Sequence, residues 1–138
     1  MSLALQPDFR ALFNKNKECC FPRRCKPRHS FALVIPFRSR ELHLSIMLPY
    51  VIRMLRKQGN RFKIFLVEQM QNQTFNKAKL LNVGFDLVQK DLVAKNYGCM
   101  IVHDVDFIPV DQNFPYRCFK APSYMTFNTQ FSIKLRTP

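Results

Sequence analysis

Gly98-Cys99-Met100-Ile101-Val102-His103-Asp104-Val105-Asp106 is a short apolar run that opens at a glycine and ends in two carboxylates two residues apart. Four apolar residues in a row fit a strand buried in a parallel sheet. The same pattern occurs twice upstream. Phe31 to Ile35 (FALVI) is closed by Pro36, and Phe62 to Val67 (FKIFLV) runs into Glu68-Gln69. Between the first two runs, Leu44, Met47, Leu48, Val51, Ile52 and Leu55 recur at three and four, with Arg53, Arg56 and Lys57 on the other side. That spacing predicts an amphipathic helix over Glu41 to Gln58, bent at Pro49 and stopped by Gly59-Asn60. Ala78, Leu81, Phe85, Val88 and Leu92 form a second helical stripe behind Asn76. Strand, helix, strand, helix, strand is the order of an α/β layer of Rossmann-like type, with parallel strands joined by right-handed crossovers.

Ligands of such sheets bind at the carboxyl ends of the strands. Those ends hold Pro36-Phe37-Arg38-Ser39-Arg40, then Glu68-Gln69 with the loop to Phe75-Asn76-Lys77, then Asp104-Val105-Asp106. Two arginines, a lysine, an aromatic ring and two carboxylates suit a nucleoside diphosphate carrying a divalent ion. Cationic groups meet phosphate oxygens, the ring walls the base, and the carboxylates hold a hard cation. An oxygen-only donor set favours Mn²⁺ or Mg²⁺ over Zn²⁺. The bland alternatives are a solvated loop for Arg38 and Arg40, a core ring for Phe75, a turn for the Asp-x-Asp and a hydrogen-bonded structural role for His103.

The 138 residues suffice for one domain with a real core, and 47% hydrophobic with 22% charged residues is the composition of a folded chain. Twenty-two Lys and Arg against nine Asp and Glu leave +13, which favours anionic partners. Residues 1–30 hold seven of those basic residues in an irregular arm punctuated by Pro22 and Pro27, and the rest are spread over helix backs and tail. No apolar run is long enough to span a membrane, and Pro7, Asp8 and Arg10 break any leader-like start. The basic residues lack the aromatic interleaving of single-strand binders, so nucleic acid is the weakest partner class. Five cysteines form no C-x-x-C pair, which disfavours a zinc knuckle. Cys99 and Cys118 bracket the Asp-x-Asp. A bridge there would stabilise an oxidised protein by roughly 3 kcal/mol on chain-entropy grounds, whereas in a reducing compartment both would be thiols. Cys25 would need Cys19 or Cys20. Asn72-Gln73-Thr74 is a glycosylation sequon that matters only in a secretory protein.

CKPRHSFALVIPFRSRELHL, FKIFLVEQ, FNKAKLLNVGF and CMIVHDVDFIPVDQNFPYRC, in that order, resemble the β-1,4-galactosyltransferases, inverting glycosyltransferases of the GT-A fold. The resemblance runs from about Cys25 to about Tyr124. It implies that Pro36, Phe37, Arg38 and Arg40 match a P-F-R-x-R motif lying along the uridine and diphosphate of a UDP-sugar. It also implies that Phe75 and Lys77 match F-N-R, with Lys here keeping the charge and losing the bidentate fork. Asp104, Val105 and Asp106 match D-V-D, whose first two residues line the nucleotide site and whose last is a manganese ligand. Cys99 and Cys118 match a disulfide-bonded pair, as fits a Golgi lumen enzyme.

The family continues through an F-G-G-V segment to a W-G-W-G-G-E-D-D motif that carries acceptor contacts and the proposed catalytic base. Neither occurs in these 138 residues, and the type II signal anchor of the family does not either. The expected organisation is an arm (1–30), a UDP-sugar donor-binding region (31–120) and a divergent tail (121–138), a truncated GT-A fold. The implied activity is Mn²⁺-dependent transfer of galactose from UDP-galactose to a terminal N-acetylglucosamine or related acceptor, with these residues alone holding the donor weakly and not transferring it. From a different class, the same residues suit a non-catalytic nucleotide-sugar-binding or assembly module.

Overall fold

The computed structural model describes residues 26–70, 73–123 and 132–134. Cys19, Cys20, Cys25, Asn72 and nearly all of the arm lie outside them. Three parallel strands form the main sheet: β1 (Ser30–Phe37), β2 (Arg61–Glu68) and β3 (Cys99–Val102), in the order β2-β1-β3. Helix α1 (Glu41–Lys57) joins β1 to β2, and α2 (Lys77–Lys95) joins β2 to β3. The chain steps outward from β1 to β2 and then back across β1 to reach β3. With right-handed crossovers this reversal puts the two helices on opposite faces.

Alternation along β1 sorts its side chains between those faces. Phe31, Leu33, Ile35 and Phe37 pack with Leu44, Met47, Leu48, Val51, Ile52 and Leu55 of α1. Ala32 and Val34 join Val67, Leu80, Val88 and Tyr97 in a smaller cluster under α2. All six of the spaced α1 residues are buried. The helix runs through Pro49, whose missing N–H leaves the Ser45 carbonyl without its usual donor. It ends where Gly59 takes a left-handed φ of 70° and donates to Arg56 O at 3.0 Å.

The expected stripe on α2 is shifted. Leu80, Gly84 and Val88 are buried, whereas Ala78 is exposed and Phe85 is 50% exposed. Leu81 is half-buried, and the Leu92 side chain lies outside the description. The reason is Gly84: a Cβ there would stand 2.5 Å from Val34 Cγ1 and 3.3 Å from Val67 Cγ2. The helix turns its glycine, not its phenylalanine, to the sheet. A search for large apolar side chains passes over such a contact.

Two short strands extend the picture. β4 (Phe107–Pro109) pairs antiparallel with β5 (Ser132–Lys134), so the segment expected only as a divergent tail supplies a strand. Just before β1, His29 O accepts the Arg61 N–H at 2.8 Å and Arg28 N–H donates to Gly59 O at 3.2 Å. Cys99 and Cys118 are joined by a disulfide with Cα atoms 5.6 Å apart. No helix among the described residues is long and apolar enough to cross a membrane.

Gly84→Ala should gain about 1 kcal/mol of helix propensity and lose about 1–3 kcal/mol to overpacking against wholly buried Val34. We expect a net loss in urea unfolding, partly recovered in the double variant with Val34→Ala. A midpoint raised by the full helix-propensity gain of about 1 kcal/mol would show that the helix does not approach the sheet through this residue.

Candidate functional site

The carboxyl ends of the three strands are hydrogen-bonded side by side. Gln69 N–H donates to Phe37 O at 3.0 Å, and His103 N–H donates to Val34 O at 2.9 Å. Ser39, with φ of 48°, is the middle residue of the three-residue turn from β1 into α1. A left-handed serine is uncommon and places Arg38 and Arg40 on either side of a sharp corner. Arg40 occupies the N-cap of α1 without a side-chain cap.

Arg38 is the centre of one half of this edge. Its Nη1 donates to Gln73 O, and its guanidinium carbon lies 5.3 Å from the centroid of the Phe75 ring. A guanidinium over a ring face is a cation–π contact. Phe75 is 41% exposed, so the ring is at the surface and not in the core. Asn76 caps α2, its Oδ1 accepting the Lys79 N–H at 2.9 Å, and sets Lys77 in the first turn.

Lys77 and Asp104 form the other half. Lys77 Nζ lies 2.5 Å from Asp104 Oδ1, with both side chains about half exposed. The Asp104 carbonyl accepts from Phe107 N–H at 3.3 Å and meets His103 Nδ1 at 2.9 Å. A carbonyl only accepts, so Nδ1 carries the ring proton and Nε2 is a bare acceptor. His103 is 3% exposed, and its Nε2 has no hydrogen-bond partner among the described residues. Burial pushes its pKa from 6.5 down to about 4, against the opposing pull of the Asp104 carbonyl and the Asp104 and Asp106 carboxylates.

The chain after Asp106 wraps this imidazole in rings. Tyr116 stacks on it at 5.9 Å and Phe107 meets it edge-on at 5.7 Å, while Phe114 contacts Tyr116 at 5.1 Å. Burial also raises the Tyr116 phenol well above its usual range. The wrap is fastened to the end of α1. Asn60 Nδ2 donates to Tyr116 O at 3.0 Å, Gln58 Nε2 donates to Phe114 O at 2.8 Å, and Lys57 Nζ donates to Gln112 Oε1.

Pro36, Phe37 and Val105 are buried, so they shape the floor of this edge by packing and offer little side-chain surface. Arg38, Phe75, Lys77 and Asp104 come together at the surface. Asp106 is half-buried beside them. Arg40 makes no ion pair among the described residues. No group of three His, Cys, Asp or Glu gathers among the described residues. Asp104 and Asp106 therefore supply a few carboxylate oxygens, a set suited to a hard divalent cation that takes its other ligands from phosphate and water. Sequence patterning places Gln69 at a strand end without giving its side chain a role and does not single out Gln73; the Gln69 carboxamide and the Gln73 backbone carbonyl order the loop around Phe75.

The shift at His103 has a sign in stability. Between pH 6.5 and about 4 the unfolded chain takes up a proton that the folded imidazole refuses, so stability falls as the pH falls through this window. The full effect is on the order of 3 kcal/mol for a shift of this size. Urea unfolding of the wild type and His103→Leu across pH 4 to 7 should show a steeper acid loss in the wild type. Parallel curves would sink this account.

Residues 9–119 match the family model described as the N-terminal region of glycosyl transferase group 7. A Lymnaea stagnalis β-N-acetyl-D-glucosaminide β-1,4-N-acetylglucosaminyltransferase is 46% identical over 99 residues, covering 72% of this chain and 20% of the relative. The Sus scrofa β-1,4-galactosyltransferase 5 is 42% identical over 103 residues, covering 75% of this chain and 26% of the relative. The chain thus spans about a fifth to a quarter of the length of these curated relatives. A crystal structure of a Drosophila β-1,4-galactosyltransferase 7 variant with manganese, UDP-Gal and xylobiose superposes with a TM-score of 0.56 at 35% identity, over 69% of this chain and 37% of that one. The α/β layer is that of the GT-A galactosyltransferase catalytic domains. With its motifs, sheet order and family match in agreement, this chain belongs to glycosyl transferase group 7, the family of the β-1,4-galactosyltransferases it resembles.

Proposed function

We propose that residues 31–120 bind the donor of a β-1,4-glycosyltransferase, a UDP-hexose, at the carboxyl edge of β1, β2 and β3. The observation that carries this is the convergence of Arg38 on Phe75 and of Lys77 on Asp104 at adjacent strand ends. The guanidinium and ammonium groups meet the diphosphate, and the ring walls the nucleoside. Arg40, Pro36, Phe37 and Val105 complete the pocket as corner and floor. Asp106, with Asp104 near it, holds Mn²⁺, which when bound offsets the charge of the diphosphate leaving group. The solved relative with manganese and UDP-Gal supports this donor set, and the match of Asp106 to the last residue of D-V-D supports its role.

UDP-galactose is the donor, as the names of the galactosyltransferase relatives suggest, and a terminal N-acetylglucosamine is the acceptor, as the β-N-acetyl-D-glucosaminide in the Lymnaea relative's name suggests. The Lymnaea relative is named for a different transferred sugar, N-acetylglucosamine, and favours UDP-N-acetylglucosamine as the second reading. The nucleotide-binding residues serve either donor. The disulfide between Cys99 and Cys118 suits an oxidising compartment, and the Golgi lumen is the proposed location.

Titration calorimetry of the 138-residue chain with UDP should show binding that requires Mn²⁺. Asp106→Ala should abolish that metal dependence, and an unchanged Mn²⁺ titration of this variant would refute the ligand assignment. Lys77→Met should weaken UDP by about tenfold, as expected on losing one charge-assisted hydrogen bond. Binding that needs no Mn²⁺ and collapses with added salt would instead identify polyanion binding through the +13 charge.

A further inference from the structure

Gln69 directly follows β2 and is held from three directions. Its backbone N–H donates to Phe37 O at 3.0 Å, tying it to the last residue of β1. Its Nε2 donates to Thr74 O at 2.9 Å, and its Oε1 accepts the Asn76 N–H at 2.8 Å. A carbonyl needs a donor and an N–H needs an acceptor, so only one orientation of the carboxamide satisfies both. Phe75 is the residue between the two contacts. Asn76 continues the chain of bonds into α2, its carbonyl accepting Leu80 N–H at 3.2 Å and its Oδ1 accepting Lys79 N–H at 2.9 Å. One side chain thus couples the end of β1, the Phe75 ring and the first turn of α2, where Lys77 stands.

We propose that Gln69 is a positioning residue of the donor site, which fixes Phe75 against the Arg38 guanidinium so that the nucleoside meets a preformed wall. The proposal rests on the reading of this edge as a nucleoside-diphosphate site. Arg38 cannot do the same work by itself: its bond to Gln73 O anchors the loop before Phe75, whereas the Gln69 carboxamide also ties the Asn76 N–H after it to the end of β2. Thr74, Phe75 and Asn76 are exposed. Removing the carboxamide returns their polar groups to water and leaves none buried and unpaired, so the fold survives and preorganisation is lost. Lys77 keeps its place through the helix packed at Leu80 and its own pairing with Asp104.

Two readouts test this on the full 138-residue chain. The first needs no ligand: in Gln69→Ala, amide hydrogen exchange at Asn76 should quicken by at least about tenfold while the amides of β1 keep their protection. The second compares UDP with inorganic pyrophosphate, each with Mn²⁺. Gln69→Ala should weaken UDP by about tenfold and pyrophosphate by less than about twofold, since the loss falls on the nucleoside wall. Gln69→Glu keeps the acceptor for Asn76 N–H and loses the donor to Thr74 O, and should fall between wild type and Gln69→Ala in both. Unchanged exchange at Asn76, or equal losses for UDP and pyrophosphate, would overturn the proposal. A wild-type chain that binds neither probe would overturn the donor-site reading instead, and the Asn76 exchange rate would then decide alone whether Gln69 sets the loop.

Discussion

Burial of β1 on both faces is the constraint from which the rest of the structure follows. Phe31 through Ile35 have no exposed surface, and Phe37 is 4% exposed. A strand apolar on both faces must be covered twice, and a parallel neighbour on each side needs a crossover long enough to do so. The two faces are unequal. Phenylalanine and aliphatic side chains on one side demand the long apolar stripe of α1, while Ala32 and Val34 on the other leave room for α2 to come close through Gly84. The side on which the residues are small is therefore the side on which the helix lies near the sheet, and its first turn delivers Lys77 to the strand ends.

A second level of order fixes the segment after β3. Three carbonyls in the wrap, those of Gln112, Phe114 and Tyr116, are taken by the Gln58 and Asn60 amides at the end of α1. The disulfide ties its far end back to the start of β3. Between these fasteners the neutral His103 ring is sandwiched by aromatic neighbours, and its Nδ1–H holds the Asp104 carbonyl. Asp104 and Asp106 are thus presented from a loop anchored to the core on α1's side, while Phe75 and Lys77 arrive from α2's side. The edge is a seam between the two cores.

The strands and α1 were legible in the sequence because their apolar runs and three-four spacing report burial directly. α2 was legible as a helix but not as to its buried face, since the closest contact is made by the residue with no side chain and Phe85 stands in solvent. β4 was hidden because Phe107-Ile108-Pro109 is too short to signal a strand, and its partner β5 lies more than twenty residues downstream. Of the residues expected at the strand ends, Arg38 meets Phe75 and Lys77 meets Asp104. What the strand-end rule did not convey is that Phe37 and Val105 are packed inward and that the polar groups bind one another. Pairings such as Lys77 with Asp104 depend on loop geometry, and neither residue's type nor its spacing encodes that.

Those internal pairings bear on how an anion would enter. An ion pair with both partners half exposed contributes at most about 1 kcal/mol, because water already solvates each charge well. The Arg38 contact with Phe75 is likewise an exposed cation–π pair of about 0.5–1 kcal/mol. Both are strong enough to orient the side chains and weak enough to be exchanged for phosphate oxygens, which accept charge-assisted bonds roughly twice as strong as neutral ones. Lysine at position 77 suits such an exchange differently from the arginine of the family motif. A compact ammonium gives up one carboxylate for one phosphate oxygen, whereas a guanidinium fork could keep Asp104 and a phosphate at once. On the proposed reading, then, this chain releases the Asp104 carboxylate as the diphosphate arrives. The released carboxylate then stands two residues from that of Asp106, and two carboxylates on one short segment raise the local demand for a divalent cation. Donor and metal would accordingly bind as a pair, each lowering the cost of the other's entry.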